Sequence, residues 1–329
     1  MAEVLLKVKN LSTLFRTEGG VVKAVDNISF EVRVGETFAL VGESGCGKSV
    51  TALSIMRLIP TPPGEITSGT VEFDGVDLLK LPGREMRAIR GSKIGMIFQE
   101  PMSSLNPVLT IQSQLAEPLK IHMKLSGAAA NDRAEELVNM VGIPDAKTRL
   151  QQYPHELSGG QRQRIMIAMA MSCAPRLLIA DEATTALDVT IQAQILDLMQ
   201  DVTEKSGASL LIITHNLGIV ARYADRVAVM YAGKLREVSD ATDLYATPRH
   251  PYTVGLLRSV PRLDSDRGTP LTPIAGEIPD LTNLPDGCAF NPRCQWAVER
   301  CFIDDPELEE ISTGKQVACF EHASVALNV

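Results

Sequence analysis

Gly42-Glu43-Ser44-Gly45-Cys46-Gly47-Lys48-Ser49 is the stretch of this chain whose residue types and spacing most directly specify chemistry. Its pattern, G-x-x-x-x-G-K-S, follows an apolar strand, Thr37 to Val41, and opens a helix expected over Val50 to Ile59. Glycines let successive backbone N–H groups turn inward around an anion, and a helix N-terminus adds positive potential. Lys48 can neutralise β- and γ-phosphate charge, and the Ser49 hydroxyl can ligate Mg²⁺. A chance glycine-rich turn would lack the strand–loop–helix setting, so the stretch reads as a phosphate cradle. Leu177 to Asp181 followed by Glu182 is an apolar strand ending in two carboxylates. Asp181 suits the Mg²⁺ shell, and Glu182 suits the orientation and deprotonation of an attacking water, a role that contributes about 10²–10⁴-fold. Alone, Asp-Glu at a strand end is commonly no more than a solvated terminus; beside a phosphate cradle it reads as hydrolytic machinery.

Leu157-Ser158-Gly159-Gly160-Gln161 precedes an apolar helix expected over Ser158 to Cys173. Ser158 suits an N-cap, and the two glycines expose backbone amides at a helix N-terminus. As a bare pentapeptide this is an ordinary cap. With the cradle it forms a second anion site on one chain, and one nucleotide cannot easily use both. Two chains packed head to tail would let each site complete the other.

The elements that must position these groups alternate strand and helix. Short strands are expected at Val4 to Val8, Val25 to Val34, Thr70 to Leu79 and Lys93 to Gln99, with a polar turn at Arg16 to Gly20. Further strands are expected at Leu177 to Ala180, Leu210 to Thr214 and Val227 to Glu237, and helices at Ala128 to Val141 and Thr190 to Lys205. This alternation implies an α/β fold with a mostly parallel sheet and a helical insertion after Gln99. Beyond Asp240 the chain is proline-rich and weakly periodic, so residues 241–329 read as an appended module. No internal repeat is present.

These ordered motifs resemble the nucleotide-binding subunit of ABC transporters, over approximately Val4 to Asp240. Gly42 to Ser49 resembles the Walker A loop, Leu157 to Gln161 the signature and Leu177 to Asp181 the Walker B strand. The resemblance implies a P-loop NTPase fold, a RecA-like core with antiparallel β and α-helical subdomains. It divides the chain into 1–99 (core with Walker A), 100–157 (helical subdomain), 158–240 (signature, Walker B and switch) and 241–329. It further implies nucleotide contacts from Gly42, Glu43, Ser44, Gly45, Cys46, Gly47, Lys48, Ser49 and Val50, and across the dimer from Ser158, Gly159, Gly160 and Gln161. Gln99 stands at the Q-loop position, which senses Mg²⁺ and the attacking water. Ala186-Leu187-Asp188 resembles the D-loop that speaks across the dimer. His215 matches the switch histidine that contacts the γ-phosphate and Glu182. The implied catalytic set is Glu182, His215, Lys48 and Gln99, with Mg²⁺ held by Ser49, Gln99 and Asp181. Phe15 is either a strand core residue or the aromatic that stacks on adenine. Two positions depart from the family pattern: Ala183 replaces the usual proline after the catalytic Glu, and Asn216 the usual Asp after the switch histidine. Neither removes a group that performs the chemistry, so hydrolysis is expected to survive.

Gln99-Glu-Pro-Met-Ser-Ser-Leu-Asn-Pro107, Arg249-His-Pro-Tyr-Thr253 and Asn291-Pro-Arg-Cys294 resemble the dipeptide and oligopeptide permease ATPases. That class also carries nickel, glutathione and some oligosaccharides. Its members imply two transmembrane permease subunits, a second and related ATPase, and an extracytoplasmic peptide-binding protein. Cys288, Cys294, Cys301 and Cys319 have the spacing C-x₅-C-x₆-C-x₁₇-C. Four thiolates satisfy Zn²⁺ or an iron–sulfur cluster, although structural zinc prefers tighter pairs. The resemblance favours a [4Fe–4S] cluster, with zinc and a metal-free module as the alternatives.

Composition bounds the setting. The 329 residues are 45% hydrophobic with a formal charge of −8, so no global basic field exists to attract nucleic acid. No run of about 18 apolar residues occurs, and no signal-peptide pattern opens the chain, so a peripheral place at the cytoplasmic face of the cell membrane is expected. A soluble ABC-type ATPase of translation or DNA repair is the competing class; it would usually bring tandem cassettes, coiled coils or zinc insertions.

Overall fold

The computed structural model of the chain describes residues 3–99, 104–183, 189–260 and 273–325. The strands are β1 (Val4–Thr17), β2 (Gly20–Arg33), β3 (Thr37–Val41), β4 (Gly64–Phe73), β5 (Val76–Asp77), β6 (Ile94–Ile97), β7 (Leu177–Asp181), β8 (Ser209–Thr214), β9 (Arg226–Tyr231), β10 (Lys234–Asp240), β11 (Glu309–Ser312) and β12 (Lys315–Val317). The helices used below are α1 (Lys48–Ile55), α2 (Gly83–Ile89), α3 (Ile111–His122), α4 (Gly127–Met140), α5 (Ala146–Leu150), α6 (Gly159–Ala170), α7 (Val189–Ser206), α8 (Leu217–Tyr223), α9 (Ala241–Ala246) and α10 (Pro251–Arg258). The chain divides into two compact units: Met1–Glu3, Arg33–Glu36 and Lys80–Ile212 in one, and Val4–Val32, Thr37–Leu79 and Ile213–Val329 in the other. The boundaries drawn from the motifs cut across these units, because strand pairing joins segments distant in sequence.

In the first unit, β6 and β7 run parallel, pairing Ile94 with Leu177 and Ile97 with Ala180. Every residue of β7 is buried, as suits an interior parallel strand made of Leu, Ile and Ala. The insertion is helical as expected, and α4 buries Ala130, Ala134, Leu137 and Val138 along one stripe. Ile111–His122 is helical although Pro118, which disfavours a helix interior, stands inside it. Its capping nevertheless follows rule: the Thr110 hydroxyl accepts the Ser113 N–H at 3.3 Å.

In the second unit, β2-β1-β4-β5 form a sheet in which β1 pairs antiparallel with β4, Leu6 opposite Phe73 and Phe15 opposite Gly64. Here β1 runs to Thr17, well past the expected end at Val8. The other sheet of this unit is ordered β11-β12-β10-β9-β3. The strand-like segments expected near Val227 to Glu237 form a hairpin: Ala232 and Gly233 both take positive φ, 47° and 80°, which turns β9 back on itself as β10.

The region beyond Asp240 is not a separate appendage in its described part. β12 pairs with β10, Glu237 opposite Val317, and extends the sheet. Tyr252, Cys288, Phe290 and Cys301 share one buried cluster with Val41, Val229 and Tyr231. Weak periodicity concealed this, since turns and a 3₁₀ segment carry Cys288, Phe290 and Cys301 rather than long helices. Helix α1 begins at Lys48 and ends at Ile55, earlier than expected, because Arg57 adopts a left-handed φ of 51° before the prolines.

Candidate nucleotide site and thiol cluster

The phosphate loop grows from β3, whose apolar residues are buried, and ends where Gly47 caps α1. Two glycines are enforced by close approach as well as by φ. A Cβ on Gly42 would stand 2.2 Å from the Met230 carbonyl oxygen, and one on Gly47 2.1 Å from that of Ala24. Within the loop Ser44 and Gly45 are exposed, Ser49 and Val50 half-buried, and Cys46 buried. Burial pushes the Cys46 thiol up, and the neighbouring Lys48 charge opposes that. Lys48 is itself buried and donates from Nζ to the carbonyls of Gly42 at 2.8 Å and Glu43 at 2.9 Å. That arrangement closes the loop around its own cation.

Glu43 has partners within its own chain. Its N–H is committed to Tyr252 Oη at 2.8 Å, and its carboxylate to Arg293 at 2.8 and 3.0 Å. No nucleotide motif signals these partners; the one sequence signal is Asn291-Pro-Arg-Cys294, which contains Arg293. Tyr231, Tyr252 and Phe290 back the pair with ring centroids 4.6, 5.2 and 5.5 Å apart. Phe15 is half-buried on β1, and its cross-strand partner Gly64 has no side chain to cover the ring.

His215 follows β8 and is exposed. The Asn216 side chain caps α8, accepting the Gly218 N–H at 2.9 Å. Asn and Asp cap helices about equally well, so this departure from the family pattern preserves the local turn.

In the first unit, parallel register does the positioning. Because Ile97 stands opposite Ala180, the residues two steps further along, Gln99 and Glu182, come side by side. Gln99 Nε2 donates to Glu182 Oε2 at 2.9 Å. Asp181, the last residue of β7, is buried. Glu182 has φ 45°, a left-handed conformation that costs a non-glycine residue of order 1 kcal/mol and gathers at functional sites.

Ser158 is the N-cap of α6. Its hydroxyl accepts the Gln161 N–H at 3.3 Å, while Gln161 Oε1 accepts the Ser158 N–H at 3.0 Å. This capping box leaves Ser158 and Gly159 exposed at the helix N-terminus. Asp188, with Ala186 and Leu187, lies outside the described residues, as do Glu100 to Ser103.

Cys288 and Cys301 are buried, Cys294 and Cys319 half-buried, and the Cys288 N–H donates to the Cys301 carbonyl at 2.8 Å. Burial, reinforced by the charge of the neighbouring thiolates, pushes Cys294 up to about 11 and Cys319 up to about 12. Cys288 and Cys301, with Cys294 packed against them, belong to one apolar cluster. Among the described residues, no group of three or more His, Cys, Asp or Glu side chains is arranged to hold a metal ion. No helix among them is long and apolar enough to cross a membrane.

Comparison with known proteins matches the family described as "ABC transporter" to residues 25–185, and that described as "Oligopeptide/dipeptide transporter, C-terminal region" to residues 237–301. The dipeptide transport ATP-binding protein DppD of Bacillus subtilis is 56% identical over 292 residues, covering 89% of this chain and 87% of the relative. The oligopeptide transport ATP-binding protein OppD of the same organism is 52% identical over 308 residues, covering 94% and 86%. Among solved structures, the ATP-binding cassette MJ0796, a dimer in a post-hydrolysis state bound to ADP and Pi, superposes with a TM-score of 0.65. It is 28% identical, and the match covers 72% of this chain and 99% of that one.

Proposed function

This chain belongs to the ABC transporter family, and we propose that it is the ATP-binding and ATP-hydrolysing subunit of an importer of dipeptides and oligopeptides. The observation that carries the reading is the phosphate loop with its buried Lys48, in a chain related over most of its length to peptide-transport ATP-binding proteins. ATP and Mg²⁺ are the cofactors of this chemistry. Lys48 and the loop amides take the phosphate charge, while Ser49 and Asp181 are the residues read as supplying oxygens for Mg²⁺. Glu182, oriented by the Gln99 amide, is the base that takes a proton from the attacking water. His215 is the switch residue, Phe15 the adenine platform and Asp188 the contact across the dimer.

A second ATPase subunit supplies Ser158 to Gln161, or their equivalents, to the nucleotide bound at Gly42 to Ser49. A related but different chain is the expected companion. Two permease subunits and an extracytoplasmic peptide-binding protein complete the importer, with this chain at the cytoplasmic face. Reconstitution tests the reading: ATP-dependent accumulation of a labelled dipeptide should require this chain and vanish with Lys48→Ala. Uptake of nickel or glutathione in place of peptides would reassign the solute.

Cys288, Cys294, Cys301 and Cys319 are read as the seat of a [4Fe–4S] cluster. The support is an all-thiol donor set in which burial, and then the neighbouring thiols, push Cys294 and Cys319 up, so that those two stand as thiolates at neutral pH only beside a cationic group. Tetrahedral zinc at about 2.3 Å from each sulfur would bring the sulfurs within roughly 3.8 Å of one another. A cluster spreads its four ligands further and supplies a staple for a segment with little core. Anaerobically purified chain should carry iron and sulfide in equal amounts, lost in Cys294→Ser; stoichiometric zinc would replace this assignment.

A further inference from the structure

Two side chains from the C-terminal region grip the phosphate loop at one residue. Arg293, 250 positions downstream, donates through both terminal nitrogens to the two oxygens of Glu43, at 2.8 and 3.0 Å. Its side chain is 4% exposed and is itself held: Nε donates to the Ala275 carbonyl at 3.1 Å and Nη1 to Tyr231 Oη at 3.3 Å. Tyr252 Oη accepts the Glu43 N–H at 2.8 Å. Tyr252 in turn sits in the first turn of α10, fixed by its own N–H to His250 Nδ1 at 3.0 Å.

A carboxylate inside a phosphate cradle is a charge of the wrong sign, since it repels the polyanion the loop exists to bind. A two-pronged guanidinium–carboxylate pair cancels that charge and fixes its direction, which a single ammonium would do less well. Burial of the guanidinium keeps the pair from being screened away by salt.

We propose that Arg293 is a positioning residue of the nucleotide site: it neutralises Glu43 and withholds its carboxylate from bound phosphate, while Tyr252 orients the loop's first turn. The C-terminal region is then a working part of the cradle in its own chain. This inference rests on the identification of Gly42 to Ser49 as the nucleotide site.

The test uses the full chain in the assembled transporter, comparing KM for ATP with kcat in Arg293→Gln, Glu43→Gln and the double variant. Arg293→Gln should raise KM about ten-fold with kcat changed less than about two-fold, because an unpaired carboxylate now faces the phosphates. Raising ionic strength should narrow that gap. Adding Glu43→Gln should recover most of the loss, whereas a role for Arg293 in tail packing alone would leave the double variant at least as impaired. An unchanged KM in Arg293→Gln, or no recovery in the double, overturns the proposal. Should Arg293→Gln fail to fold, Glu43→Asp keeps both charges but withdraws the carboxylate, and an unchanged KM there overturns it equally. Wild-type chain that binds no nucleotide would instead refute the site identification.

Discussion

Gln99 and Glu182 lie 83 positions apart in the chain, yet the Gln99 amide donates to Glu182 Oε2 at 2.9 Å. Ile97 of β6 stands opposite Ala180 of β7, and each of the two residues lies two positions beyond its member of that pair, so parallel register delivers the contact. The amide leaves the carboxylate a hydrogen-bonded orientation without adding charge.

Glu182→Gln keeps an acceptor for Gln99 but cannot take a proton from water. ATP binding should persist, turnover should fall at least about 10²-fold, and ATP should hold the subunits together. Phosphate release measured beside nucleotide retention checks this. Turnover close to wild type would remove Glu182 as the base.

Ser158 serves as both helix cap and proposed anion ligand, and charge separates the two. Ser158→Ala loses the cap, at about 1 kcal/mol, whereas Ser158→Asp restores one. Asp, however, places a carboxylate where the companion's phosphate should dock. Thermal melting of Ser158→Asp should match wild type while its ATPase activity falls more than about ten-fold. Full activity in that variant would refute the anion site.

Gly47 has φ 111° and no room for a Cβ, which would stand 2.1 Å from the Ala24 carbonyl oxygen. Gly47→Ala should cost about 2 kcal/mol or more of stability and abolish nucleotide binding. Calorimetric titration with MgADP together with a melting curve measures both, and wild-type affinity would show that the loop tolerates a displaced backbone.

His250 carries a pH dependence with a definite sign. Burial, and then the Arg236 charge, lower its pKa to about 3, and its Nδ1 accepts the Tyr252 N–H, so the folded ring is neutral. Below the ordinary value near 6.5 the unfolded chain takes up a proton that the folded chain refuses. The stability it contributes is complete above that value and is lost as pH falls toward 3, at up to about 1.4 kcal/mol per unit. His250→Asn caps α10 without titrating there. The stability gap between the two chains should narrow by about 2 kcal/mol from pH 6.5 to 5, as read by urea unfolding. Glu237, whose carboxyl burial pushes up and which accepts the Arg249 and His250 N–H groups, is common to both chains. A constant gap would mean that His250 is charged in the fold.

Residue order alone made the nucleotide chemistry legible. Gly42 to Ser49, Ser158 to Gln161 and Leu177 to Glu182 are contiguous motifs whose function depends on local backbone: a turn, a helix N-terminus and a strand end. Local interactions are written in adjacent residues, so the cradle, the capping box and the carboxylate pair are all found where the motifs place them. Helix α3 escaped because a proline stands inside it, and the strands β11 and β12 because short, irregular segments leave no period to read.

What only the tertiary structure decided is pairing across long stretches of chain. Nothing near Glu43 announces that Arg293 will neutralise it, and nothing near Cys288 announces that it will share a buried cluster with Val41. Such contacts depend on which strands lie side by side and in what register, a property of the whole sheet. The sequence therefore determined which groups are proposed for the chemistry, while the fold determined which other groups hold them in place, because chemistry is carried by residue type and positioning by non-local packing.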